Sequence, residues 1–216
     1  MNLGRIWVVY IAVLLLLAGC TSKKSAKNSE SNSTDTKAAS TPGYNLDLNC
    51  VFDSIQKPTE AFHFSYHKTN PDNPVEEDAD ITPQTIDGSF KNAGGSHPLH
   101  GVRSDQDSWQ TAYSGLMGVS GMSSTIALVR NGSAVQKEGS EQVNGYETVK
   151  YSVDTSRADS VEQGLYKSTL GDGGFEKGTW WVNAEGCPVK LNLDSEMHLR
   201  NGNVEKTHYE IGMVKK

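Results

Sequence analysis

The residues best suited to metal or acid–base chemistry fall into three groups. His63 and His67 are four positions apart in Phe62-His-Phe-Ser-Tyr-His67. On a helix that spacing would put both rings on one face. The alternation of Phe62, Phe64 and Tyr66 with polar residues marks a strand instead, where four residues span roughly 13 Å, too far for two ligands of one zinc ion. His97 and His100 flank Pro98-Leu99 in a glycine-rich stretch, 92–101, that reads as a surface loop. The third group, Glu76-Glu77-Asp78-Ala79-Asp80, lacks the alternating Asp spacing and closing Glu of a calcium loop and reads as a solvated turn. Gly118-Val-Ser-Gly121 misses the nucleophile-elbow pattern by one residue, and Gly171-Asp-Gly-Gly174 lacks the Lys-Ser/Thr of a phosphate loop. No metal, cofactor or catalytic residue is therefore expected, and nothing in the chain gives positive evidence for an enzyme.

The cysteines carry a different chemistry. Leu17-Ala-Gly-Cys20 closes an apolar run, Ile6–Leu17, that follows Arg5. The run has the form of an export signal and is too short to span a bilayer, which takes about 20 apolar residues. Two small residues before one cysteine resemble the lipobox of bacterial lipoprotein precursors. That resemblance implies cleavage before Cys20, a thioether lipid on it and acylation of the new amino terminus. Two or three acyl chains make a stable anchor where one does not. Thr21 stands where Asp commonly signals inner-membrane retention, which points to the outer membrane if the envelope is Gram-negative. With Cys20 occupied, Cys50 and Cys187 remain. In an oxidising compartment the simplest expectation is a disulfide, the alternatives being two separate buried thiols or, less readily, a metal pair.

The elements that position these groups are read from composition and period. Residues 1–19 are expected to be a signal peptide. Residues 20–43, rich in Ser, Thr, Lys and Asn, follow as a disordered tether, and 44–216 form the folded domain. Loss of the signal removes Arg5 and no acid, taking the net charge from −6 to −7. An acidic domain without a basic stripe is not built for nucleic acid. Most of the domain has period two. Strands are expected at 62–67, near 81–90, after Asn144-Gly145, and as a meander over 179–214 that turns at Ala184-Glu-Gly186 and Asn201-Gly-Asn203. A further hairpin is expected at Asn131-Gly132. Helical pattern is confined to Leu46–Ile55, to Ser104–Met117, with Ser104 and Asp107 at capping-box spacing, and to Ser156–Tyr166, with Val161 and Leu165 facing inwards. The fold class is mainly β (α+β): a curved antiparallel sheet or half-barrel of seven or more strands with two or three short helices.

Two apolar groups are candidates to bound a ligand. One is Trp109, Tyr113, Leu116, Met117 and Met122, running from a helix into a segment of glycines and serines whose methionines can adapt to a chain-like molecule. The other is Leu191, Leu193 and Met197 on one strand face. Adjacent Trp180 and Trp181 must point to opposite faces of their strand. The C-terminal half, Asn144–Tyr151 followed by Gly178–Leu191, Glu196 and Asn203–Tyr209, resembles the LolA/LppX/LprG-type envelope lipoproteins and lipid carriers. The resemblance implies a half-barrel closed by helices around an apolar cavity that holds acyl chains. The expectation is a cell-envelope lipoprotein, held to the membrane through Cys20, whose β domain binds a lipid or other apolar or amphiphilic ligand. The alternative is a scaffold module that docks another envelope protein.

Overall fold

The computed structural model describes residues 48–120 and 134–216. Within them nine strands alternate along one antiparallel sheet: β1 (Phe62–Thr69), β2 (Val75–Ile81), β3 (Thr85–Asn92), β4 (Gly95–Val102), β5 (Val135–Val143), β6 (Tyr146–Asp154), β7 (Phe175–Val182), β8 (Pro188–His198) and β9 (Val204–Lys215). Their spatial order is β4-β3-β2-β1-β9-β8-β7-β6-β5. Each wing is a simple meander, and the first and last strands join the wings at the centre, with Tyr66 opposite Ile211 and Phe62 opposite Lys215. Three of the expected turns act where the sequence places them. Asn144 and Gly145, both at positive φ (56° and 85°), turn β5 into β6, and Gly186 and Gly202 turn the C-terminal meander.

Alternation along the strands puts one apolar face inwards. Across the sheet, Glu77, Tyr66, Ile211, Leu191 and Trp180 share one row of that face. The row beside it contains Phe64, Ala79, Gly88 and Leu99. The sheet is curved, and two glycines on its inner face let neighbouring backbones approach. A Cβ on Gly88 would lie 2.1 Å from the Asp78 carbonyl oxygen, and one on Gly178 would lie 2.2 Å from that of Asn192. Each wing therefore has one position where only glycine lets the adjacent strand fold over.

Three helices complete the described fold: α1 (Asn49–Gln56), α2 (Gln106–Ser120) and α3 (Ser160–Leu170). The main core joins Val51 and Ile55 of α1 and Trp109, Ala112 and Leu116 of α2 to the inner face of the sheet. Gly101 of β4 permits the close seating of α2, since a Cβ there would meet Ala112 Cβ at 2.8 Å. Arg103 ties the two helices together: its guanidinium donates to the Gln56 carbonyl at 2.8 Å and lies 3.7 Å above the Trp109 ring centre. Cys50 of α1 and Cys187, just before β8, form a disulfide with Cα atoms 5.5 Å apart, as the compartment argument expects.

Four local expectations change. The acidic run 76–80 is not a turn but most of β2, with Glu77 on the buried side. Stretch 92–101 is mainly β4, exposed at its start and buried at Leu99 and Gly101, rather than a loop. Local composition hid both: β4 is an edge strand, which tolerates glycine and polar residues, and in interior β2 the charges of Glu76, Asp78 and Asp80 fall on the outer face. α2 is capped by Asp105, whose carboxylate accepts from the Asp107 and Ser108 amides, instead of by Ser104. In α3 the inward residues are Tyr166 and Leu170, while Val161 and Leu165 are 82 % and 58 % exposed. Cys20, the tether, Met122 and the Asn131-Gly132 turn lie outside the described residues.

The disulfide joins positions 137 residues apart. The double variant Cys50→Ser/Cys187→Ser should lose about 2–5 kcal/mol of stability. Urea unfolding of the oxidised full chain against this variant measures the loss; coincident midpoints would show that the bond contributes nothing.

Candidate functional site

The predicted ligand residues divide between two clusters. Trp109, Leu116, Leu191 and Leu193 are buried in the main core, with Tyr113 and Met117 packed against it, so α2 and β8 do bring most of the expected set to one side of the sheet. Met197 does not join them. It packs against Ala134, Ala158, Tyr166 and Leu170 under α3, because β8 is long enough to run past the main core. Trp180 and Trp181 take opposite faces: Trp180 is buried in the core. Trp181 lies outside, beneath the Lys190 and Lys150 ammonium groups at 4.7 and 5.5 Å, with its indole N–H donating to Glu141 at 2.6 Å.

Among these apolar side chains the sheet buries groups that composition did not single out. Glu77 and Tyr66 face each other in register on β2 and β1, and both are 0 % exposed. Neither the Glu77 carboxyl oxygens nor the Tyr66 hydroxyl has a hydrogen-bond partner among the described residues, and the same holds for the Trp109 indole N–H. Burial alone pushes the Glu77 carboxyl up to about 9, so it is neutral at pH 7. Burial first, then Tyr209 and Glu77, keep the Tyr66 hydroxyl protonated. The inner face therefore offers three donors, two O–H and one N–H, in an apolar setting. The only sequence signal was one carboxylate of an acidic run falling at the period of a strand's buried face.

A second buried polar band crosses the same face nearer the ends of β8 and β9. Asn70 donates to Thr207 Oγ1 at 2.9 Å, and Thr207 stands opposite Ser195, which stands opposite Glu176. The Glu176 amide donates to Thr155 Oγ1 at 2.9 Å. Burial raises the Glu176 carboxyl to about 7, with the Ser195 hydroxyl opposing the shift. Asn70, Thr207 and the Glu176 amide are paired within this band, whereas the Glu176 carboxyl oxygens, like those of Glu77, have no hydrogen-bond partner among the described residues.

The histidines paired with acids lie on the outer face, whereas His97 stands opposite Phe90, itself opposite Glu77, at the open end of the inner-face row. His63 sits between Asp80 at 2.9 Å and Asp78 at 3.2 Å. His67 and His208 share Glu210 at 3.6 and 3.4 Å, and His208 also meets Asp194 at 2.7 Å. His100 pairs with Asp87, while His97 stacks on Phe90 with ring centres 4.6 Å apart. No group of three ligating side chains able to hold a metal occurs among the described residues. These exposed pairs each add little to stability. A cleft of about 940 Å³ opens beside the disulfide, lined by Lys57, Glu60, Tyr146, Glu185 and Lys215 among others. Lys215 pairs there with Glu60 at 2.7 Å, and carboxylates (Asp53, Glu60, Glu147, Glu185) outnumber ammonium groups (Lys57, Lys215) in the lining. Burial and then Glu60 push Tyr146 up to about 12.

Glu77 gives stability a definite pH dependence. Its folded value, about 9, lies above the ordinary 4.5, so the folded state holds the proton more tightly. The stabilisation is complete below 4.5 and is lost as the pH rises through about 9. The unfolding free energy should fall across that window, and Glu77→Gln should flatten the fall. Urea titrations at pH 5, 7 and 9 measure the difference; equal slopes in both proteins would exclude Glu77 as the cause.

No protein-family model and no curated protein matches the chain.

Proposed function

We propose that the protein is a lipid-anchored lipoprotein of the bacterial cell envelope whose β domain binds an apolar or amphiphilic ligand against the inner face of its sheet. One observation supports the binding reading above the others. The face formed by Leu116, Ile211, Leu191 and Trp180 is apolar, yet it buries the polar ends of Glu77 and Tyr66 without partners. Buried polar groups are almost always satisfied, and leaving one unsatisfied costs about 1–3 kcal/mol. An apolar lining with a few polar groups is the usual make-up of a small-molecule site. The anchor rests on Leu17-Ala-Gly-Cys20, and the tether between Cys20 and the domain lets that domain reach a ligand held away from its own lipid.

The reading of the domain as a docking module for another envelope protein draws on a different feature. Val161 and Leu165, one turn apart on α3, are both solvent-exposed. Two side chains make a small patch, far below the area of a stable interface.

Two measurements test the proposal. Intact-mass and peptide analysis of the membrane-purified chain should find its amino terminus at Cys20 with a thioether diacylglyceryl group; an unmodified terminus elsewhere would overturn the anchor. Organic extraction of the same gel-filtered protein should release a non-covalent lipid in near-stoichiometric amount. Neither a released lipid nor displaceable binding of a fluorescent fatty acid or alcohol would sink the ligand reading.

A further inference from the structure

The geometry points to Glu77 and Tyr66 as a paired hydrogen-bond donor that selects an uncharged, oxygen-bearing amphiphile, such as a fatty alcohol or glyceride ester, over an anionic one. This rests on the ligand reading above and adds the chemical class. The two side chains are cross-strand neighbours on β2 and β1, fully buried, and their polar atoms have no partner among the described residues. Their row continues through Ile211, Leu191 and Trp180, and the adjoining row holds Phe64 and Ala79, so the pair is set in hydrocarbon on both sides.

The titratable and charged groups around this face come from every element packed on it. β1 supplies Tyr66 and, at its far end, half-buried Lys68; β9 supplies Tyr209, opposite Lys68; β7 supplies Glu176 in the separate polar band; β4 supplies exposed His97, beyond Phe90 in the row of Glu77; α2 supplies Tyr113, with Asp53 of α1 near it, and Arg103 lies over the Trp109 ring. Lys68 is opposite Val75 rather than Glu77, and no cation contributes to the state of the Glu77 carboxyl. A carboxyl in this setting stays protonated and presents an O–H. Tyr66 presents a second. Carbonyl, ether and hydroxyl oxygens accept from such groups at no charge penalty. A carboxylate or phosphate would have to shed its water with no opposite charge beside it, which costs far more than burying a neutral oxygen. The pair thus discriminates by charge rather than by size, and chain length is left to the apolar lining.

The full-length purified chain, in a non-ionic detergent, is offered an equimolar mixture of oleyl alcohol, monoolein, oleic acid and phosphatidylglycerol at pH 7. Retained lipid is quantified by mass spectrometry after gel filtration. The uncharged pair should exceed the anionic pair by at least about tenfold. Glu77→Gln keeps a neutral donor and should keep the preference. Glu77→Leu together with Tyr66→Phe should lose the preference while still holding chains, and its thermal unfolding and circular dichroism show whether it folds. At pH 10 the wild type should lose uncharged lipid and Glu77→Gln should not.

Equal retention of all four lipids overturns the selection while leaving the ligand reading intact. Preferred retention of the anions, reduced by Lys68→Gln, also overturns it and moves the head-group contact to the rim of the face. Retention of none of the four, by a folded wild type, overturns the ligand reading itself.

Discussion

The pairing of β1 with β9 is the constraint on which the remaining structure depends. It is the seam between two meanders that are otherwise local, and it sets the register of the whole inner face. Tyr66 reaches Glu77 on one side and Ile211 on the other only because Phe62 meets Lys215. A slip of one residue along this seam would turn Phe62, Phe64 and Tyr66 outwards and expose His63 and His67 to the core. The outer face guards against that slip. His63 lies between Asp78 and Asp80, and His67 and His208 meet over Glu210, so the outward set is fixed by charge and the inward set by burial.

Around the seam, curvature comes from what is missing. Gly88 in one wing and Gly178 in the other remove a side chain from the inner face, and the neighbouring backbone fills the space. The helices settle against the hollow so produced, α2 over Gly101 and α1 through its disulfide. A curved apolar face with two helices on it would be an ordinary core if every inward residue were apolar. Glu77 and Tyr66 break that rule at the centre of the sheet, where a misfit costs most, and that position gives the pair its interest.

Much of the fold was legible in the sequence because period-two alternation and Asn-Gly turns are local signals. The C-terminal meander, the strand at Phe62 and the Asn144-Gly145 hairpin all follow from residues within a few positions of one another. The interior strand β2 of the other wing was not legible. Glu76, Asp78 and Asp80 make β2 look like solvent-exposed turn, and only pairing with β1 and β3 shows that Glu77 faces inwards. The orientation of α3 was equally hidden. Val161, Leu165, Tyr166 and Leu170 offer two apolar stripes, and the choice between them is made by the cluster with Met197 and Ala134, not by the helix. For the candidate site, the apolar lining could be read from alternation, whereas the polar pair within it required knowing which strands lie side by side.

The disulfide also decides how the first helix is held. Its two sulfurs belong to a helix that precedes every strand and to the turn that precedes β8. The bond closes a loop that contains β1 to β7, and β8 and β9 follow it in the chain. A molecule carrying both free thiols holds α1 to the sheet by the packing of Val51 and Ile55 alone, whereas the oxidised molecule also tethers it covalently to the β7–β8 turn. A two-electron oxidation thus changes how firmly the first helix is seated without changing any residue of the sheet.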